Sequence, residues 1–313
     1  MTDQGGRRGS WLRPAGLLGL TLALSVGQPL LLVLVPFAIL ALTLPGEGVR
    51  PVLLGLLAGL VVFLGQGATG LWYLERGWAI LVGGWFAAAT MAWPSRTFFP
   101  RALVALGGAV VWTAALLLAL DGWARVDWLV EERIQSGAAA TIEVLRLLSG
   151  GDAGAMREAV QRTAELQAGV FPALLALASL AGLGVAWWFY LRLASVSGEG
   201  LGPLRNFRFP DAMIWVLIAG VVLVMVAGWG SGWGRVGANL TVFMGALFVL
   251  RGAAVLLFLS GGIGILGALL LAIGFVLAAP VLLAGAMVVG VGDSWVDLRA
   301  RALRAGGGDA GSD

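Results

Sequence analysis

An all-α polytopic transmembrane bundle of eight to ten membrane segments is the fold class this sequence predicts, and three observations predict it. First, 59% of the 313 residues are hydrophobic and only 12% are charged, against roughly 45–50% and about 25% in an ordinary soluble domain. Second, the charges are separated by long uncharged runs at 14–46, 51–74, 77–95, 102–120, 166–191, 212–234, 236–250 and 252–292. Most of these approach or exceed the about 20 apolar residues that a helix needs to cross a bilayer. Third, Gly and Pro recur inside the runs; they are costly in a soluble helix, but membrane helices tolerate them when neighbours satisfy the freed backbone groups. A water-soluble fold and a single-pass anchor are both excluded. The lipid bilayer is therefore the first partner, and 1–313 reads as one membrane domain.

The chain opens with the polar, basic stretch MTDQGGRRGSWLR. The apolar run behind it is too long for a signal-peptide core and lacks a small-x-small cleavage site, so the stretch reads as a cytoplasmic start to the first segment. That segment, near 15–44, has Gln28-Pro29 close to its middle, and the last, near 263–291, contains Ala279-Pro280. Each is long for one pass and short for two, hence kinked or folded into a tight hairpin. Between them, segments near 52–69, 78–93, 102–120, 171–194, 212–230 and 239–260 read as single helices. The Gly-rich end, 305–313, reads as a disordered tail.

Arginine placement selects among topologies, because short cytoplasmic loops collect positive charge. With eight simple spans, and leaving out the long loop, Arg divides eight inside against six outside. If both Pro-broken runs turn back as hairpins, the split becomes twelve against two. The sequence therefore predicts a bacterial inner-membrane protein with both termini cytoplasmic.

The stretch 121–168 breaks the membrane pattern. Val126, Leu129, Val130, Ile134, Ala138, Ile142, Leu145 and Leu148 fall at helical spacing among charges, the mark of an amphipathic helix. Ser149-Gly150-Gly151-Asp152 then supplies a stop and an N-cap. A second helix with Met156, Val160 and Leu166 on one side completes a surface hairpin, with Trp123 and Trp128 at headgroup depth. It reads as a lid or docking element, or more simply as a connector packed on the bundle.

Composition also limits the chemistry. The chain has no Cys, no His and no Lys. Thiolate nucleophiles, Cys-held metals and His general bases are therefore excluded, and no catalytic residue, cofactor or metal site is expected. All 20 basic residues are Arg, scattered over short loops. They build no basic stripe, so no nucleic-acid partner is expected. The GxGxxG pattern at Gly262–Gly267 lies in an apolar run with no strand before it, and reads as a close helix approach. The GxGD pattern ending at Asp293 matches intramembrane aspartyl proteases, but no second carboxylate stands in a span to share its proton.

Three groups of residues remain as candidate sites. Ala15, Gly19, Ala23 and Gly27 form a small-residue stripe, expected to be a helix–helix interface within the chain or with another membrane subunit. Trp85 and Trp112 lie mid-run, filling the core or lining a cavity. Arg251, between runs of 15 and 41 uncharged residues, is expected at membrane depth facing the protein interior. Its acceptors would be carbonyls freed near Gly252, Gly261 and Gly262, ordered water or an anionic ligand, so that Arg251, Trp85 and Trp112 make a candidate ligand pocket. The alternative is that Arg251 snorkels to an interface. Asp293 and Asp297, four apart, are expected to pair with neighbouring Arg.

From Pro172 onward the sequence resembles the YybS-like family of bacterial polytopic membrane proteins. The residues that carry this are Phe171-Pro172, WWFYLRLA, LRNFRFPD, Asn239, Gly252-Ala-Ala-Val and GVGDSWVDLRAR, the last with Asp293, Trp295, Asp297 and Arg299 at the family's spacing. The resemblance implies a fold distantly similar to the S-components of energy-coupling-factor transporters, and with it a small-molecule binding or uptake component. The alternative is a non-transporting scaffold or regulator that recruits partner proteins through the hairpin and the C-terminal motif.

Overall fold

The computed structural model describes residues 12–25, 28–44, 48–64, 70–149, 154–194, 200–229, 232–261 and 264–307, which are all helix and connecting turn. The chain divides into two compact units, 1–201 and 202–313. The first holds α1 (Leu12–Leu24), α2 (Leu31–Thr43), α3 (Arg50–Phe63), α4 (Gly70–Ala92), α5 (Phe98–Ala119), α6 (Trp123–Ser149) and α7 (Gly154–Leu193). The second holds α8 (Ile214–Ala227), α9 (Gly232–Leu259), α10 (Ile265–Val296) and α11 (Leu298–Gly307).

Among the described residues, four helical stretches are long and apolar enough to cross a membrane: Phe98–Ala119, Met156–Leu193, Gly232–Leu259 and Leu277–Val296. The eight to ten segments expected from the charge-free runs are not reproduced at full length. The first run breaks at Gln28-Pro29 into two helices of 13 residues each, α1 and α2. At 1.5 Å per residue these reach only about 20 Å, short of the ~30 Å hydrocarbon core. The last run is cut twice. α9 stops at a turn where Gly261 has φ +68°, and α10 kinks at Ala278 (φ −144°, ψ 36°), just ahead of Pro280, which has no N–H for the preceding turn.

In the first unit α2 is the central helix, with Leu40 wholly buried and Leu31, Leu32 and Val35 in a core cluster with Val62, Ala79 and Ala178. Pro36 cannot donate to the carbonyl of Leu32. α7 crosses at that carbonyl, where a Cβ on Gly182 would come within 2.6 Å of the Leu32 oxygen. Buried Arg76 finishes the end of α3: its Nε donates to the Val62 carbonyl at 2.9 Å and its guanidinium lies 3.8 Å from the Trp72 ring. Val62 is in the last turn of α3, where carbonyls have no partner within the helix. On the outer side of α3, Leu53, Leu56, Leu57, Leu60 and Val61 are exposed. A water-facing surface would not carry so large an apolar patch, and a lipid-facing one does.

The amphipathic hairpin is present with a different second arm. Val130, Ile134 and Ala138 of α6 are buried against Ala164, with Val160, Ala168 and Phe171 beside it. The expected α7 face of Met156, Val160 and Leu166 is corrected to Val160, Ala164, Ala168 and Phe171, since Met156 and Leu166 are exposed. α7 also runs unbroken for 40 residues through Pro172, about 60 Å, so its charged first half must extend beyond the hydrocarbon. The side chains of Leu145 and Leu148, and the turn at 150–153, lie outside the described residues. So does the tail beyond Gly307, through which α11 remains helical.

Candidate functional site

In the second unit α9 and α10 cross backbone to backbone. A Cβ on Gly252 would overlap the Ala286 carbonyl oxygen, and one on Gly290 would overlap that of Phe248. Because these two residues lack side chains, Arg251, one residue before the first, meets Asp293, three residues after the second. Arg251 is 0% exposed and Asp293 1%. Nε of Arg251 donates to Asp293 Oδ2 at 2.9 Å, and Nη2 of Arg299 donates to the same oxygen at 3.0 Å. Arg299 reaches back because α10 ends on Asp297 in a left-handed conformation (φ 46°, ψ 63°), one that Asp accepts more readily than most residues.

The two guanidinium groups then gather the segment before α8. Arg299 Nη1 donates to the carbonyls of Arg205 and Phe207 at 3.2 and 3.1 Å. Arg251 Nη1 donates to the Phe209 carbonyl at 3.4 Å, and its guanidinium lies 5.4 Å from the Phe209 ring. Nη2 of Arg251 is 2.7 Å from Oδ1 of Asp211, a side chain 58% exposed. Two Arg and two Asp balance, so the cluster is electrically closed. Within it, Arg251 Nη2, Asp293 Oδ1 and Arg299 Nε are buried without a hydrogen-bond partner among the described residues.

In the first unit a cavity of about 200 Å³ opens between α4, α5, α6, α7 and the break between α1 and α2. Its walls are mainly apolar, including Leu32, Leu74, Trp78, Val110, Leu117 and Phe171. Glu75 of α4 and Arg133 of α6 also line it, and Glu75 Oε1 accepts the Gln28 N–H at 3.2 Å. Arg133 is near enough for its charge to act on Glu75, though no ion pair joins them. Thr113 of α5 contributes a buried hydroxyl with no hydrogen-bond partner. Six other helical threonines, 21, 43, 90, 141, 163 and 241, donate to the carbonyl four residues back, the usual local solution. Thr113 departs from it on one of the helices that line the cavity.

A family model described as a predicted membrane protein, DUF2232, matches residues 16–294. The chain belongs to the DUF2232 family. No curated protein and no solved structure matches it. The family match includes the cavity, Arg251 and Asp293, and it establishes neither the finer likeness to the YybS-like family nor that to transporter S-components.

Within this DUF2232 chain the sequence-derived candidates are placed as follows. Arg251 faces the interior, as expected, and the protein groups it meets are the Asp293 and Asp211 carboxylates and the Phe209 carbonyl. Trp85 and Trp112 are in the first unit and Arg251 is in the second. Trp112 is 54% exposed, and Trp85, 40% exposed, lies over Gly108 of α5, where it fills the space a Cβ would take. Ala15, Gly19 and Ala23 are exposed on α1, with open space around Gly19, while Pro14 and Thr21 are its buried residues. The stripe thus faces away from the described part of its unit, and Gly27 lies outside the described residues. In the C-terminal motif Asp293 and Arg299 are buried and paired, and Trp295 is exposed.

Asp297 pairs at 2.6 Å with Arg208, both about half exposed. The Arg208 hydrogen bond holds the Asp297 carboxyl below the usual carboxylate range. A depressed folded-state pKa adds stability above the unfolded pKa, near 4, and that stability is lost as pH falls through the folded value. The pair is solvent-screened, so its share is small. Asp297→Asn should leave the melting temperature at neutral pH nearly unchanged and slightly flatten its decline below about pH 4. A large loss at pH 7 would show that the pair does more than hold a surface turn.

Proposed function

We propose that this protein is a membrane-embedded binding protein for a small, mainly apolar molecule, held in the cavity beside Thr113. The observation that carries this reading is the cavity itself, about 200 Å³ with mainly apolar walls and a few polar residues, Gln28, Glu75, Thr113 and Arg133, among its lining, the make-up of a small-molecule site. The size is instructive. A cavity of ~150 Å³ lined by apolar residues holds benzene, whereas drug-sized pockets run from about 300 to 1,000 Å³. A ligand of roughly one ring or a short branched chain fits the ~200 Å³ here, and a vitamin-sized one does not.

An uptake role resembling that of transporter S-components would add a partner subunit, for which the exposed stripe Ala15, Gly19 and Ala23 is the available close-approach face. The arginine split supports an inner-membrane location with both termini cytoplasmic. The scaffold reading draws on the amphipathic hairpin of α6 and α7, and among its described residues no feature selects a partner. Filling the cavity separates the two readings. Ala114→Phe, at the cavity wall, should leave the purified protein folded and abolish the thermal stabilisation given by ethylbenzene. A scaffold would be indifferent to ethylbenzene in both forms, and that result would remove the binding reading.

A further inference from the structure

Glu75 and Arg133 face one cavity from different helices without bonding to each other. Opposite charges that share a small space usually close on one another, because each then replaces lost water with a charge-assisted hydrogen bond. Here they stay apart. The Glu75 carboxylate is held by the Gln28 N–H, which fixes one oxygen, and Arg133 is an exposed residue of α6. The rest of the wall is mainly apolar and includes Thr113.

We propose that the occupant is a small zwitterion with an apolar body, of the chemical class of an α-amino acid bearing an aromatic or branched side chain. Its ammonium pairs with Glu75, its carboxylate with Arg133, and its apolar body fills the space lined by Leu74, Val110 and Phe171. This rests on the cavity being a binding site. A lone cation would pair with Glu75 and leave Arg133 unanswered, and a lone anion would pair with Arg133 and leave Glu75 unanswered. The zwitterion satisfies both in one step. The about 200 Å³ available favours a free small molecule over a diacyl lipid, whose chains are far larger.

The test titrates the full-length protein in detergent with L-phenylalanine, phenethylamine, 3-phenylpropionate and ethylbenzene. L-Phenylalanine should bind most tightly, and each single-charge analogue about tenfold more weakly or worse, the loss expected for one charge-assisted hydrogen bond. Glu75→Gln should reduce L-phenylalanine to the level of 3-phenylpropionate, and Arg133→Gln to that of phenethylamine. Both variants should retain ethylbenzene, which shows that they fold. If all four probes bind alike, or if neither substitution changes the ranking, the zwitterion is overturned while the apolar site stands. If none binds, the cavity reading fails with it. A diacyl phospholipid retained in native mass spectrometry and lost in Ala114→Phe overturns the proposal in favour of lipid.

Discussion

Asp293→Ala should remove most of the folded protein from a detergent extract, and it should do more damage than Arg251→Met. Asp293 Oδ2 is the shared acceptor of two buried guanidinium groups, Arg251 and Arg299. Its loss leaves two positive charges in the interior with only carbonyls and the exposed Asp211 for company. Removing one partner of a buried ion pair costs about 3–5 kcal/mol, a large part of the ~5–15 kcal/mol that stabilises a typical domain. Arg251→Met, by contrast, leaves Asp293 with Arg299, so the buried carboxylate stays paired and the loss is smaller. Because a buried pair can often be exchanged for apolar residues at little cost, Arg251→Met combined with Asp293→Leu should recover part of what Asp293→Ala loses. Size-exclusion profiles and thermal melts followed by tryptophan fluorescence check the order. Equal melting of Asp293→Ala and the parent would show that Asp293 is not the keystone of the cluster.

Gly252→Ala and Gly290→Ala should each destabilise the second unit although they add a single methyl group. At both positions the new Cβ falls on a carbonyl oxygen of the facing helix, and backbone, unlike a side chain, cannot turn aside. Overpacking of this kind costs about 1–3 kcal/mol and occasionally more. Separating the helices also pulls Arg251 from Asp293, so the two losses compound. Gly285→Ala, on the same α10 with open space around it, is the control. It should be neutral or stabilising by up to about 1 kcal/mol, the helix-propensity gain of Ala over Gly. A lower melting temperature for Gly252→Ala and Gly290→Ala but not for Gly285→Ala is the expected pattern. Three indistinguishable variants would mean that α9 and α10 do not touch at these glycines.

The parts of the fold legible in the sequence were those governed by neighbours along the chain. The spacing of Val126, Val130, Ile134 and Ala138 marked the buried stripe of α6, because a helix places residues four apart on one side whatever it packs against. Gln28-Pro29 marked a break for an equally local reason. On α7 the same approach chose Met156 and Leu166, which are exposed, because Ala164 and Ala168 are too small to stand out in hydropathy although they allow the closest approach to α6. Trp85 and Trp112 are partly exposed, a point not legible in the sequence because a position midway along a run gives depth but no direction around the helix. Thr113 gave no signal, since a helical threonine normally hides its hydroxyl in its own backbone.

Composition alone determined that this chain belongs in a bilayer: with 12% charged residues and 59% hydrophobic ones, no soluble core could bury so much apolar surface. The same arithmetic required the deeply placed Arg251 to face inward, because a charge toward lipid is too costly. What answers that charge was decided only by tertiary structure. Asp293 is 42 residues away in sequence, beyond a turn and a kink, and linear hydropathy put it at the far end of an uncharged run. The crossing at Gly252 and Gly290 closes that distance to 2.9 Å. Burial can be read along one dimension, but pairing is a property of how helices meet, and here the meeting point is set by two residues with no side chain.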